Sequence, residues 1–486
     1  MKRASGILMP VFSLPSPYGI GTFGKAAYDW VDFLARAKQT YWQVLPLGPT
    51  SYGDSPYQSF SAFAGNPYFI DPDLLVAAGL LSAKECAAAA CGSDTKVDYA
   101  ALHETRFALL QQAFDRFTDD AALTAFWHRH KSWLDDYALY TAIKAANGQH
   151  SWAEWPDDVR LRRPDALAKA RRTLLREQRF CVFLQYLFFT QWDALKTYAA
   201  AKGVRIIGDM PIYVAMDSAD VWANSEIFQL DANKQPTEVS GCPPDGFSAD
   251  GQLWGNPLYR WDVLAQNGYD WWMRRLAASF ELFDTVRIDH FRGLESYYAI
   301  PHGAPNARNG RWRMGPGLDF IRALRKQFRG RQIIAEDLGF LTPSVRQLLR
   351  RSGYPGMKVL QFAFDTREES DYLPHNYQKN CVVYTGTHDN DTMLGWLQTA
   401  RRADVRFARR YLDIHHRDDE QWAFIRAAIA SVADLAVIPM QDYLGLGGEA
   451  RINTPSTLGG NWVWRMAPGS ASEALAAAYA RDENDE

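Results

Sequence analysis

Four apolar runs in this chain end in acidic or acid–base side chains. Asp209 lies in VRIIGDMPIYV, Asp289 in TVRIDHF, Glu336 in RQIIAEDL, and the pair His388–Asp389 closes CVVYTGTHD. A carboxylate set directly after an apolar strand is costly to bury unless it is paired or used. One ionised and one protonated carboxyl flanking a glycosidic bond are what retaining glycosyl transfer requires. One attacks the anomeric carbon, the other protonates the leaving oxygen and then takes a proton from the acceptor, at a separation of about 5–5.5 Å. Asp289 fits the nucleophile, because Arg287 shares its strand face and a guanidinium favours the ionised form. Glu336 fits the acid/base, because the Ile333-Ile334-Ala335 surroundings raise its pKa. Asp389 then binds sugar hydroxyls and steadies an oxocarbenium-like transition state, and His388 donates to hydroxyls of the same ring. His290 follows the nucleophile onto the opposite face and reads as structural.

Placing these groups on one rim requires strands that share a direction. Runs rich in Val and Ile without helical period read as buried parallel strands. They are 41–47, 204–214, 285–291, 331–338, 357–364, 381–389 and 435–443, with an eighth expected within 66–75. Helical segments alternate with them: 25–38 after a Gly-rich turn, then 316–328 and 342–352 with helix-start signals and late Arg or Lys. Repeated strand–helix alternation at this length predicts a (β/α)8 TIM barrel, whose active site lies at the C-terminal ends of the strands. The 47 residues from Asp289 to Glu336 make one enlarged strand–helix unit, and 53 more reach Asp389 with the 357–364 strand between. Asp289 and Glu336 are therefore expected on neighbouring strands, with Asp389 two strands further round.

A barrel needs about 250 residues; this chain has 486. The surplus is expected as insertions in a single catalytic barrel spanning 1–486: a helical one at 76–202, Ala-rich and carrying Trp127, Trp133, Trp152 and Trp155, and a Gly-, Pro- and Asp-rich one at 215–284. Within the latter, 241–259 is expected to act as a lid over the substrate, with Phe247 and Trp254 as apolar elements. Residues 467–486 read as a last helix with a frayed acidic tail.

Composition narrows the class. At 47% hydrophobic and 22% charged residues the chain buries a full core, which excludes intrinsic disorder. Lys+Arg 53 against Asp+Glu 56 leaves a net charge of −3, which argues against nucleic acid or an anionic membrane as partner. No apolar run reaches membrane-spanning length, and no export signal is seen at the N-terminus. The five cysteines (Cys86, Cys91, Cys181, Cys242, Cys381) form no C-x-x-C pair, so neither zinc nor a disulfide framework is indicated. A cytoplasmic location, no metal, no cofactor, and a monomer or weak homo-oligomer are the expectations. Aromatic residues reach 14%; such rings stack on the apolar faces of sugars, though most serve a large core.

Read singly, each motif has an ordinary alternative. Arg287–Asp289 is also a structural ion pair, Glu336–Asp337 a helix start, and HDND a turn, cap or metal site. Two rival classes stay open on these residues: a metal-dependent lyase or isomerase of the enolase type, and a glycan-binding protein without turnover. Nor do composition and spacing separate transfer from hydrolysis.

The longer motifs, in order, are SGILMPVFSLPSPYGIGTFG, WQVLPLGPT, GDSPYQSFSAFAGNPYFIDPDLL, IIGDMPIYV, GQLWGNPLY, VRIDHFRG, IIAEDLG, GTHDNDT and RINTPSTLGGNWVWR. In these, from Arg3 to Arg465, the chain resembles the 4-alpha-glucanotransferases (the amylomaltase or disproportionating-enzyme family), distant relatives of the alpha-amylases. The resemblance implies an enzyme acting on malto-oligosaccharides and starch-type glucans. It implies the same roles for Asp289, Glu336 and Asp389. It also implies that Arg287, Asp209, His388 and Tyr57 line the reacting sugar's subsite, with Tyr57 stacking on the pyranose, and that Ser55, Gln252, Trp254 and Asp365 contact neighbouring subsites. Two positions depart from the pattern: many members have His-Pro-Thr where this chain has Met9-Pro10-Val11-Phe12, and many have Gly where it has Ser456.

Overall fold

Eight short strands, each parallel to its neighbours, form the nearly closed cylinder of a TIM barrel in the computed structural model, which describes residues 3–51, 53–244, 248–339, 341–416 and 420–482. They are β1 (Ala4–Leu8), β2 (Tyr41–Gln43), β3 (Arg205–Met210), β6 (Thr285–Ile288), β9 (Gln332–Ala335), β10 (Gly356–Val359), β11 (Cys381–Tyr384) and β12 (Leu435–Pro439). Their order around the sheet is β10-β11-β12-β1-β2-β3-β6-β9. The runs are apolar throughout because barrel strands are covered on both faces: Ile206, Ile207, Val286, Ile288, Ile334, Val382, Val383 and Val437 are fully buried.

The eighth strand is β1, not a segment of 66–75. There, Asn66 accepts a hydrogen bond from the Tyr68 N–H and Asp71 one from the Leu74 N–H, each followed by proline. These caps start a 3-10 turn at Pro67–Phe69 and a helix at Pro72–Ala77. β1 instead completes the barrel between β12 and β2, with Gly6 opposite both Val437 and Tyr41. Only glycine fits at that position: a Cβ on Gly6 would stand 2.6 Å from the Tyr41 Cβ.

The two ends of the sheet, β9 and β10, meet without a regular ladder. The Ala335 N–H donates to the Pro355 carbonyl at 2.9 Å, and the Asp337 carboxylate accepts the Met357 N–H at 2.6 Å. Asp337 is buried. Gly356 leaves room for it, since a Cβ there would lie 2.6 Å from an Asp337 oxygen.

Helices Lys25–Arg36, Leu175–Ala201, Asp270–Leu282, Gly317–Gln327 and Pro343–Ser352 precede β2, β3, β6, β9 and β10 in the chain. The last described helix, Glu473–Asp482, packs on Lys25–Arg36, and Tyr479 meets Phe33 edge-on; residues 483–486 lie outside the described set. Between β2 and β3 the chain is helical, from Ala83–Ala88 to the 27-residue Leu175–Ala201. Between β3 and β6 it is more ordered than its Gly and Pro content implies. β4 (Glu238–Cys242) and β5 (Gln252–Pro257) join β7 (Ser296–Pro301) and β8 (Arg311–Met314) in an antiparallel sheet of order β5-β4-β7-β8. Phe247, expected as a lid element, lies outside the described residues.

Candidate active site

Asp209 sits on β3, Arg287 on β6, Asp289 directly after β6, Glu336 directly after β9, and His388 and Asp389 beyond β11. β6 and β9 are neighbours, and β11 follows two places further round the sheet. Register places Asp209 opposite Arg287. The acidic groups sit at or just beyond the ends of β3, β6, β9 and β11.

One ion pair anchors the arrangement. Arg287 Nη1 lies 2.7 Å from each oxygen of Asp209, with both side chains fully enclosed (4% and 0% exposed). The same nitrogen is 3.5 Å from Asp289 Oδ1. The guanidinium was expected to hold Asp289 ionised; its shortest bonds go to Asp209 instead. Enclosure by the rim wins over the Arg287 charge and pushes Asp289 up to about 7, with Glu336, Asp209 and Asp389 adding to the rise. Asp289 still keeps 27% of its side-chain surface open to the cleft.

Glu336 is fixed by backbone amides. Its Oε2 accepts the His290 N–H at 2.6 Å and its Oε1 the Leu338 N–H at 3.1 Å. Burial nevertheless raises its pKa, against the pull of Arg287 and of those two amides. Two enclosed carboxyls that repel each other titrate as a pair, sharing one proton over a range of pH.

His290 supplies one of those amides from a left-handed backbone (φ 46°, ψ 48°), a conformation that L-residues adopt at a cost. The orientation of its backbone thus serves Glu336, which no reading of side-chain type reveals. Its ring meets the Trp254 ring edge-on at 4.9 Å, and Trp254 Nε1 donates to Gln252 Oε1 at 3.0 Å. Gln252 and Trp254 therefore reach the Asp289–Glu336 side of the rim from β5.

The opposite side is built on Tyr57 and His388. The two rings stack at 5.0 Å and 18°, and the Tyr57 hydroxyl donates to Asp209 Oδ2 at 2.8 Å. Ser55 Oγ accepts the Tyr57 N–H at 3.2 Å and shapes the loop beneath it. Burial alone lowers the His388 imidazole, but the adjacent Asp389 carboxylate, 3.4 Å from Nε2, outweighs it and raises the pKa. Burial likewise raises Asp389, yet His388, Asn453 and Arg287 together hold it down at about 2. Asp389 is thus the firmly ionised group of the set.

Asp365 stands apart. It is paired to Arg367, with Arg401 3.6 Å away, and lines a cavity of about 490 Å³ with Thr366, Glu368 and His375. Among the described residues no hydrogen bond or ion pair joins it to the other candidates. No three of the described His, Cys, Asp and Glu residues are grouped to hold a metal ion.

Residues 9–471 match the family described as 4-alpha-glucanotransferase. The chain belongs to the 4-alpha-glucanotransferase family. It is 50% identical to the 4-alpha-glucanotransferase of Thermus thermophilus over 97% of this chain and 96% of that protein. It is 47% identical to that of Clostridium butyricum over 94% and 95%. The amylomaltase from Streptococcus agalactiae, solved in complex with acarbose, superposes with a TM-score of 0.97 at 41% identity, covering 100% of this chain and 99% of that one.

Two residues of this glucanotransferase-family chain were missed by side-chain reasoning. Asn453 Nδ2 donates to Asp389 Oδ1 at 2.6 Å, and Arg451 Nη2 donates to the Asp389 carbonyl at 2.7 Å. Both belong to the RINTPSTLGGNWVWR stretch, whose spacing gave no hint of a partner more than 60 residues earlier. Trp462 from the same stretch packs against the Tyr57 and His388 rings at 5.7 and 6.0 Å.

Proposed function

We propose that this rim transfers an α-1,4-glucan segment from a maltodextrin donor to the 4-hydroxyl of glucose or another maltodextrin, through a covalent glycosyl-enzyme with retained configuration. Asp289 attacks the anomeric carbon. Glu336 gives the shared proton to the leaving 4-oxygen, then accepts one from the incoming 4-hydroxyl. Asp389, ionised and steadied by Asn453, faces the positive charge that develops on the sugar ring. Arg287, Asp209, His388 and Tyr57 surround the reacting hexose, and Ser55, Gln252, Trp254 and Asp365 serve adjoining sugars. Segment 241–259 keeps water away while the acceptor binds.

The observation that carries this reading is the placement of Asp289 and Glu336 on adjacent strands, with Glu336 anchored to the amide of the residue after Asp289. The proposed enzyme is a monomer or weak homo-oligomer, built as a single catalytic barrel with insertions at 76–202 and 215–284. A cytoplasmic location is supported by Cys86, Cys91, Cys181 and Cys381, none of which is in a disulfide. No described helix is long and apolar enough to cross a membrane.

Maltotriose tests the reaction. Incubation is expected to yield free glucose and a ladder of longer maltodextrins, unaffected by EDTA, and Asp289→Asn is expected to abolish both products while the protein still folds. Glucose and maltose without longer products identify a hydrolase. Loss of activity in EDTA points to the metal-dependent class.

A further inference from the structure

The chain that leaves β11 carries both His388 and Asp389 and returns to regular structure at the helix Met393–Thr399. Loops at a barrel mouth move unless something holds their ends. Here one side chain holds both. Asp442 belongs to the short helix Met440–Tyr443 directly after β12, which is a neighbour of β11 in the sheet. Its Oδ2 accepts the Thr385 hydroxyl at 2.5 Å, where the loop leaves the strand. Its Oδ1 accepts the Met393 N–H at 2.7 Å, where the loop ends. Asp442 and Thr385 are both fully buried.

The other neighbour of β11 grips the same loop. Gln361, on the turn after β10, donates from Nε2 to the Asp391 carbonyl at 2.6 Å and from its backbone N–H to the Thr385 carbonyl at 3.2 Å. Inside the loop, Asn390 Oδ1 accepts the Thr387 N–H and hydroxyl, both at 2.9 Å. Asp442 differs from these amides in carrying a charge. Burial pushes it up to about 6, against the pull of the Met393 amide and the Thr385 hydroxyl, and Asp391 adds to the rise. Among the described residues no Lys, Arg or His pairs with it. A buried acid without a cation weakens the fold. A carboxamide has one acceptor oxygen, whereas a carboxylate takes a donor on each of two. The two donors that Asp442 takes are the ends of the loop that bears Asp389.

We propose that Asp442 is a positioning residue for glucan transfer: by tying Thr385 to Met393 it fixes the loop on which Asp389 and His388 meet the sugar. This rests on the reading of Asp389 as the group that faces the charge developing on the ring. Displacing a catalytic group by about 1 Å can lower a rate on the order of 10²-fold. His388 reports the same geometry independently of turnover. Burial lowers its imidazole, and the Asp389 carboxylate, 3.4 Å from Nε2, more than reverses this; Arg287 opposes the rise and Asp209 adds to it. The Tyr57 hydroxyl faces Nδ1 at 3.5 Å. A slackened loop parts His388 from Asp389, and the imidazole then titrates lower.

Asp442→Ala removes both bonds, Thr385→Val removes one at nearly constant volume, and Thr385→Ser keeps the hydroxyl. Asp442→Ala and Thr385→Val are expected to lower kcat/KM for maltotriose about tenfold or more. Both are also expected to lower the His388 titration midpoint, followed by NMR of histidine-labelled protein with His388→Gln as the assignment control. Thr385→Ser is expected to match wild type in both readouts. If Asp442→Ala does not fold, Thr385→Val, with its fold checked by a melting curve, carries the test. Wild-type kinetics in the folded variants overturn the proposal. So does a loss of activity with His388 titrating as in wild type, which marks a loss of stability and not of position. If wild type leaves maltotriose unchanged while the variants still lower the His388 midpoint, the catalytic reading falls and the anchored loop stands.

Discussion

Arg287 lies closer to Asp209 than to Asp289, 2.7 Å against 3.5 Å from the same Nη1. The buried Asp209–Arg287 pair thus fixes the cation, and Asp289 senses its charge from beside it. Breaking a buried pair by removing one charge costs about 3–5 kcal/mol. Asp209→Asn is therefore expected to lower unfolding free energy by that amount in denaturant titrations. It is also expected to cut maltotriose turnover at least tenfold, because the freed guanidinium then swings toward Asp289.

The Asp289–Glu336 pair makes activity depend on pH near neutrality. Losing the shared proton leaves no acid for the leaving oxygen, and gaining a second neutralises the nucleophile. kcat/KM is expected to fall on both sides of a maximum, and Glu336→Gln to remove the alkaline limb along with about 10²–10⁴ of the rate. Stability follows with a fixed sign. Burial and mutual repulsion raise both carboxyls above the ordinary range, Asp289 to about 7, so the folded pair retains one proton, carried by Glu336 in the proposed reaction, that the unfolded carboxyls have already lost. Its contribution is complete below about pH 4 and is lost as pH rises through 7. Asp389, held at about 2, acts oppositely: its contribution is present above pH 4 and is lost on acidification toward 2. Melting temperatures of wild type and Asp289→Asn across pH 4–8 check this; the variant is expected to show the flatter profile.

Asn453 holds the Asp389 carboxylate by one short bond from a distant loop. Asn453→Ala is expected to lower kcat/KM about tenfold, as for loss of one hydrogen bond to a charged group. Asn453→Asp is expected to do worse, because a second anion faces Asp389. Kinetics on maltotriose, alongside unchanged melting curves, separate this role from a structural one.

Ser456, one of the two departures from the family pattern, has φ 64°. The left-handed region penalises a Cβ and suits glycine. Ser456→Gly is expected to stabilise the protein by up to about 1 kcal/mol, read as a higher melting temperature with maltotriose kinetics unaltered.

The barrel and its acidic rim were legible because both depend on side-chain type. Val and Ile mark covered strands, and a carboxylate at a strand exit stands out against them. Seven strands were visible in this way. The eighth was not: SGIL at the N-terminus is short and contains a glycine, while NPYFIDPDLL looks apolar but is broken by caps that Asn66 and Asp71 form with their own backbone. The β4–β5 hairpin was masked by its Gly and Pro content. The amide of His290 and the reach of Asn453 were invisible for another reason, since backbone donors and contacts across the whole chain leave no local trace. Arg287 was legible in part: it does reach Asp289 on its own strand face, at 3.5 Å, but its shorter bonds go to Asp209 on the next strand.

The join between β9 and β10 has a consequence for how the molecule breathes. Elsewhere adjoining strands are zipped along their length; here a carboxylate, Asp337, acts as a clasp beside Glu336. A cylinder fastened there by two stitches, one of them a side chain, gives way there first. The place where the wall can part with least loss is thus next to the proposed proton donor, so the enzyme's mouth can yield to a bulky polysaccharide without unravelling the rest.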